Sequence, residues 1–242
     1  MNFEIKNVFL TIEGKSIVND ISIKVRPGEI VGLMGPNGAG KTSTFNLAVG
    51  NLKPDKGDIL LNNKSLTNLS LPSRAKLGLG YLTQEASIFR DLTVKENIDL
   101  ALQNSFLNTA VIRNRREKII NEFNLNKFVD SYGYQLSGGE RRRCEIARAI
   151  SVGKNGPKYL LLDEPFAGID PIAVNDLKAL IIQLSKSGVG ILITDHNVRE
   201  TLLITNKSYV LSEGRILAYG TSSQLAKNPI VKKFYLGDNF QL

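Results

Sequence analysis

The chain has 242 residues, 42% hydrophobic and 22% charged, a balance that can bury a substantial core and excludes a disordered polymer. Its 31 basic and 23 acidic side chains leave a formal charge of +8, and its one cysteine, Cys144, excludes an intrachain disulfide and points to a reducing, cytoplasmic compartment. No apolar run reaches the roughly 18 residues that cross a bilayer, and the first residues lack the basic and apolar regions of a secretory leader.

In chain order, Ile21, Ile23 and Val25 alternate with Ser22 and Lys24, the period-two pattern of a half-buried strand, which Arg26-Pro27-Gly28 ends. Glu29 to Met34 is a short apolar run suited to a buried strand. A helix is predicted from Lys41 to about Val49, with Gly50 placed to stop it. Beyond Gln84 the chain becomes rich in Asn, Arg, Lys and Glu, with apolar residues at helical spacing; Thr93 and Glu96 predict a capping box. Leu160-Leu161-Leu162 and Ile191-Leu192-Ile193 predict buried strands. Tyr209 to Leu211 and Ile216 to Ala218 predict a hairpin across Ser212-Glu213-Gly214-Arg215. The reading is an α/β core, residues 1–84 and 156–242, interrupted by a helical insert at residues 85–155. The basic clusters (Arg113, Arg115, Arg116 and Lys118; Arg141 to Arg143; Lys232 and Lys233) carry no interleaved aromatics, so they read as solvated faces and no nucleic-acid partner is expected.

Three stretches carry chemistry. Gly35-Pro36-Asn37-Gly38-Ala39-Gly40-Lys41-Thr42 fits G-x-x-x-x-G-K-[ST] between a predicted strand and a predicted helix. Glycines let several backbone N–H groups point at one anion, and the helix adds the positive end of its dipole. Lys41 is placed to bridge outer phosphates and Thr42 to ligate Mg²⁺, with Ser43 beside them. Farther along, Leu160 to Leu162 end in Asp163 and Glu164: the first suits a Mg²⁺ held through water, the second a base that polarises the attacking water. Between them, Leu136-Ser137-Gly138-Gly139-Glu140 opens a helix whose Ser137 and Glu140 form a capping box. Gly138 and Gly139 weaken that start by about 1 kcal/mol each relative to alanine, yet they allow an anion close to exposed N–H groups, a second phosphate-facing surface.

With these motifs, the chain resembles the ATP-binding subunits of ABC transporters over nearly its whole length. Gln84, the signature Leu136 to Glu140, the seam loop Ala167-Gly168-Ile169-Asp170 and His196 in Thr194-Asp195-His196 fall in that family's order. The resemblance implies a RecA-like P-loop NTPase core with an N-terminal antiparallel β subdomain and an inserted helical subdomain. It further implies a homodimer closed around two ATP, each between one chain's P-loop and the other's signature. In that reading Gln84 links Mg²⁺ to the membrane partner, His196 senses the terminal phosphate, and Ile12, with Phe9 three residues earlier, takes the adenine-contact position. Glu140 stands where the family most often has glutamine, and the loop from Val152 to Pro157 is longer than usual.

The stretches Gln84 to Arg90, Ser137 to Arg143, Asp163 to Pro171 and Thr194 to Thr201, with Tyr235-Leu236-Gly237 and Phe240, resemble the branch that powers lipopolysaccharide export in Gram-negative bacteria. That branch implies peripheral attachment to the cytoplasmic face of the inner membrane. Two membrane-spanning permease subunits would dock near Gln84, Phe89 and Arg90, Phe89 serving either as a docking anchor or as core. A branched-chain amino-acid importer is the alternative reading.

Overall fold

The computed structural model describes residues 2–105, 108–153, 155–240 and 242; within the long loop at 152–157, Lys154 lies outside the described residues. Strands β1 (Phe3–Ile12) and β2 (Lys15–Val25) form an antiparallel pair, joined later by β4 (Lys56–Leu61) and the short β5 (Lys64–Ser65) in the order β2-β1-β4-β5. The alternation in β2 appears as predicted: Ile21, Ile23 and Val25 are buried, and Ser22 and Lys24 are half-buried.

The second sheet has the order β10-β9-β3-β8-β7-β6. Its strands are β3 (Ile30–Met34), β6 (Leu79–Leu82), β7 (Tyr159–Asp163), β8 (Gly190–Thr194), β9 (Lys207–Ser212) and β10 (Arg215–Gly220). All neighbours run parallel except the β9–β10 hairpin. Every residue of β3, β7 and β8 is buried, as befits parallel strands covered on both faces. Alternate residues serve the two faces. Val31, Leu33, Leu161 and Leu192 pack with the antiparallel sheet and with α1 (Lys41–Val49), whereas Ile30, Leu160, Leu162, Ile191 and Ile193 pack with the helical insert.

After α2 (Leu71–Lys76), the insert places α3 (Val94–Gln103), α4 (Thr109–Glu122) and α5 (Gly138–Ile150) between β6 and β7. The predicted capping box of α3 is formed, with the Thr93 N–H donating to Glu96 at 2.8 Å. Helices α6 (Pro171–Lys186), α7 (Val198–Ile204) and α8 (Ser222–Lys227) complete the layers. A third cluster seats Tyr235, Leu236 and Phe240 near the end of β3 at Met34. Among the described residues no helix is long and apolar enough to cross a membrane.

The solvated reading of the basic clusters fails at Arg142, which is 5% exposed, and at Arg116, which pairs with Asp99 at 2.6 Å. Arg74, which no sequence signal singled out, is fully buried and donates to the carbonyls of Leu47 and Ala48 at 2.8 and 2.6 Å. It thereby caps the C-terminal end of α1, where free carbonyls favour a cation, and burial pulls its guanidinium down to about 10.

Candidate functional site

The parallel strands β3, β7 and β8 end side by side, and in open α/β sheets ligands bind outside such carboxyl ends. The loop from Gly35 to Gly40 leaves β3 there and turns into α1. Gly35 has φ 146°, and a Cβ on it would lie 2.3 Å from the Leu211 carbonyl oxygen, so only glycine fits that close approach. Lys41 is buried and folds back along the loop, donating to the carbonyls of Gly35 and Pro36 at 2.7 and 2.9 Å. Burial pulls its ammonium below the usual lysine range, opposed by Glu164 and Asp163 close by. Thr42 is exposed at the head of α1.

Asp163 is the last residue of β7, and burial, then the neighbouring Glu164 charge, pushes its carboxyl up to about 6. Glu164 turns sharply out of the strand with φ 51°, a left-handed conformation uncommon for a residue with a side chain and typical of functional turns. Its N–H donates to the Thr194 carbonyl at 2.8 Å. Both carboxylate oxygens are held. Gln84 Nε2 donates to Oε2 at 3.1 Å, and His196 Nε2 lies 2.8 Å from Oε1. Three residues from separate parts of the chain, Gln84, Glu164 and His196, therefore meet at one carboxylate. Asp195 stiffens the loop carrying His196: its carboxylate accepts the N–H groups of Phe166 and Asn197, both at 2.8 Å.

The signature residues lie apart. Ser137 caps α5, its hydroxyl accepting from the Glu140 N–H at 3.4 Å while its own N–H donates to Glu140 at 2.8 Å. Ser137 is exposed. Among the described residues no hydrogen bond or ion pair joins residues 137–140 to residues 35–43. Gly139 also has a packing reason the sequence reading did not supply: a Cβ there would sit 2.6 Å from the Cβ of Ala173 in α6. Ile12 is 41% exposed at the end of β1; the returning strand carries Ile17, whose carbonyl lies against Gly40.

Sequence reasoning missed the residue that fixes this pocket from beneath. The Arg142 guanidinium donates to the carbonyls of Thr83 (3.1 Å), Asp163 (3.0 Å), Glu164 (2.7 Å) and Pro165 (3.2 Å), and to Glu145 at 2.9 Å. It thus ties the chain before Gln84 to the turn carrying Glu164. The helical phase held the signal: Gly139, Arg142, Ile146 and Ala149 share one buried stripe of α5. Glu145 in turn accepts the N–H groups of Ser87 and Ile88 at 2.8 and 3.2 Å.

Those two residues lead into a second feature, an open cavity of about 530 Å³ lined by Leu71, Ala75, Tyr81, Phe89, Leu100, Ala101, Glu145, Arg148 and others. Phe89 is 44% exposed and stacks under the Arg148 guanidinium at 4.5 Å, so the core reading of Phe89 fails. Asn97, fully buried, accepts the Phe89 N–H and donates to its carbonyl, both at 3.0 Å, which fixes the loop. Tyr81 lies on the cavity floor; burial, then the Asp163 carboxylate beside it, pushes its hydroxyl up to about 12. Cys144 is buried in α5, and burial pushes its thiol up to about 12, against any nucleophilic role.

Residues 18–167 match the ABC transporter family. The lipopolysaccharide export system ATP-binding protein LptB of Escherichia coli K12 is 48% identical over 238 residues, 98% of each chain. The protein of the same name from Acidithiobacillus ferridurans is 45% identical over 98% of this chain and 97% of its own. Among solved structures, the ADP conformation of MJ1267, an ATP-binding cassette of an ABC transporter, superposes with a TM-score of 0.87 at 26% identity, covering 98% of this chain and all of that one.

Proposed function

The chain belongs to the ABC transporter family, and from that premise we propose that it is the ATP-hydrolysing motor of a lipopolysaccharide-export transporter, working as a homodimer with two membrane-spanning partners. The observation that carries the hydrolytic reading is the Glu164 carboxylate, 7% exposed and held from two sides by Gln84 and His196 at the end of β7. A carboxylate so placed can orient and polarise a water for attack on a terminal phosphate, and its partners keep it aimed. Lys41 supplies a cation to the outer phosphates, and the N–H groups of the loop and of the first turn of α1 supply donors.

The residues present fit Mg²⁺. The hydroxyl of Thr42, the carboxylate of Asp163 and the amide of Gln84 offer hard oxygen donors, and Mg²⁺ on a nucleotide usually takes only one or two carboxylates. Burial first and the Glu164 charge second raise the Asp163 carboxyl, and a divalent cation there would offset both. Held by these residues, such a cation would supply positive charge to the phosphate oxygens.

Ser137 is exposed at the head of α5, and residues 137–140 make no hydrogen bond to residues 35–43 among the described residues, which supports the reading that a second copy presents the terminal phosphate to them. ATP then acts as adhesive at the seam, and its hydrolysis loosens the two chains. The groove around Phe89 provides an apolar anchor with a charged rim for a short helix of a membrane partner. The cargo assignment rests on relatives close to half identical over the full chain, each named for lipopolysaccharide export. Copurification from native membranes in mild detergent tests it: lipopolysaccharide-export permeases among the partners support the proposal, and amino-acid permeases overturn it.

A further inference from the structure

Four buried side-chain oxygens or nitrogens among the described residues have no hydrogen-bond partner, and one of them, the hydroxyl of Thr194, belongs to the strand ends that build the pocket. Thr194 is 2% exposed. Buried threonine hydroxyls elsewhere in the chain are satisfied: Thr44 donates to the Gly40 carbonyl at 2.8 Å and Thr201 to the Asn197 carbonyl at 3.0 Å. A valine would serve the strand equally well, so the hydroxyl is the feature in need of a reason.

Its placement supplies one. Thr194 is the last residue of β8 and pairs in register with Asp163, the last residue of β7. Alternation along the strands puts Thr194 on the face of Leu192, and Asp163 on the face of Leu161; both leucines belong to the buried cluster that includes Phe45 of α1. Thr194 and Asp163 therefore stand side by side on the face from which Lys41 descends, and Lys41 is close enough to feel the Asp163 charge. The next residue, Asp195, is spent on the N–H groups of Phe166 and Asn197, so Thr194 is the polar side chain on β8 left over for this face.

We propose that Thr194 is a positioning residue for the metal–nucleotide complex, its hydroxyl hydrogen-bonding a water in the shell of the cation beside Asp163. The proposal rests on the reading that Asp163 and Thr42 hold that cation. The hydroxyl can donate to or accept from such a water, whereas every carboxylate in the pocket can only accept. It would fix the water layer between Asp163 and the phosphates without adding a third negative charge.

Mn²⁺ is the probe, with the free ion followed by electron paramagnetic resonance during titration of the full chain saturated with ADP. Thr194→Val keeps the shape and removes the hydroxyl. It is expected to weaken Mn²⁺ binding to the complex by about three- to tenfold, the loss of one hydrogen bond. Its melting temperature without nucleotide should stay level or rise, because an unpaired buried hydroxyl is replaced by a methyl. Thr194→Ser should keep Mn²⁺ binding within about twofold of the parent. The proposal is overturned if the valine variant binds Mn²⁺ as tightly as the parent, or if serine and valine weaken it equally, since the methyl would then be the cause. If the parent chain holds Mn²⁺ no more tightly than free ADP does, the metal reading itself fails, a result separable from either of those.

Discussion

The pocket at Glu164 and the groove at Phe89 share helix α5 yet are made of different material. The pocket is built from backbone: a loop at unusual φ angles, strand ends and a turn whose carbonyls are tied down by Arg142. Its polar side chains include the buried Lys41, Asp163, Glu164 and Thr194, of which only the Thr194 hydroxyl lacks a partner or a neighbouring charge. The groove is built from half-exposed apolar side chains on α2 and α3 and the segment after Gln84, with Arg148 at its edge and the buried Glu145 beneath. Chemistry on a phosphate admits few residue types, whereas an apolar groove admits many. Arg142 and Glu145 join the two regions, one reaching the carbonyls of the pocket and the other the N–H groups of Ser87 and Ile88.

The sharpest way to separate them is Glu164→Gln. Turnover should fall by about a thousandfold, the usual scale for losing a positioned base, while the partner complex stays intact through the groove. Size-exclusion chromatography with ATP should show a stable dimer. Normal turnover would remove Glu164 from the pocket's chemistry.

The joint itself is the next largest effect. Arg142→Met deletes five hydrogen bonds and leaves Glu145 buried at 2% exposure without its cation. Breaking one side of a buried pair costs about 3–5 kcal/mol, to be read from urea unfolding. A loss below about 1 kcal/mol would show that pocket and groove stand independently.

How much of this was legible follows the same division. The P-loop, the acidic pair and the signature were readable because each constrains residue type at fixed spacing, and the helix from Lys41 to Val49 was delimited by its glycines. That Gln84 and His196 belong to the site came from resemblance, and their meeting on Glu164 was not legible at all, since contacts 80 and 32 residues apart leave no local pattern. Arg142 was hidden because three successive arginines look like a solvated face until the helical phase separates the middle one from its neighbours. Arg74 left no signal at all, because its partners are backbone carbonyls, which any sequence provides. The Phe89 groove fell between: its anchor residue was visible and its alternative, core packing, was equally consistent with the sequence.

The groove should respond to substitution without the pocket noticing. Phe89→Ala removes the exposed ring under Arg148. Binding of the membrane partners is expected to weaken about tenfold or more, the loss of one aromatic anchor, while ATPase of the isolated chain stays within about twofold. An unchanged partner complex would remove Phe89 as the docking anchor, and a matching fall in isolated ATPase would mean the two regions are not separable at this residue.

The smallest effect lies in the groove's wall. Leu100 and Ala101, which line the groove, sit on α3, whose N-terminus is held by the Thr93–Glu96 box. The Thr93 N–H and hydroxyl donate to the Glu96 carboxylate and hold it below the usual glutamate range. A carboxyl whose folded pKa is depressed binds fewer protons in the folded state than in the unfolded one. Its contribution is therefore complete above the ordinary value of 4.5 and is lost as pH falls through the lower folded value. Glu96→Gln keeps an acceptor for the box but cannot follow this titration. The difference in urea midpoint between the two chains should be small near neutrality and close as pH falls below 4.5 and through the lower folded value, with ATP affinity at pH 7 unaffected in either. A gap that persists in acid would mean that neutral hydrogen bonding rather than charge supports α3, and a change in ATP affinity would mean that this wall reaches the pocket by a route other than Arg142.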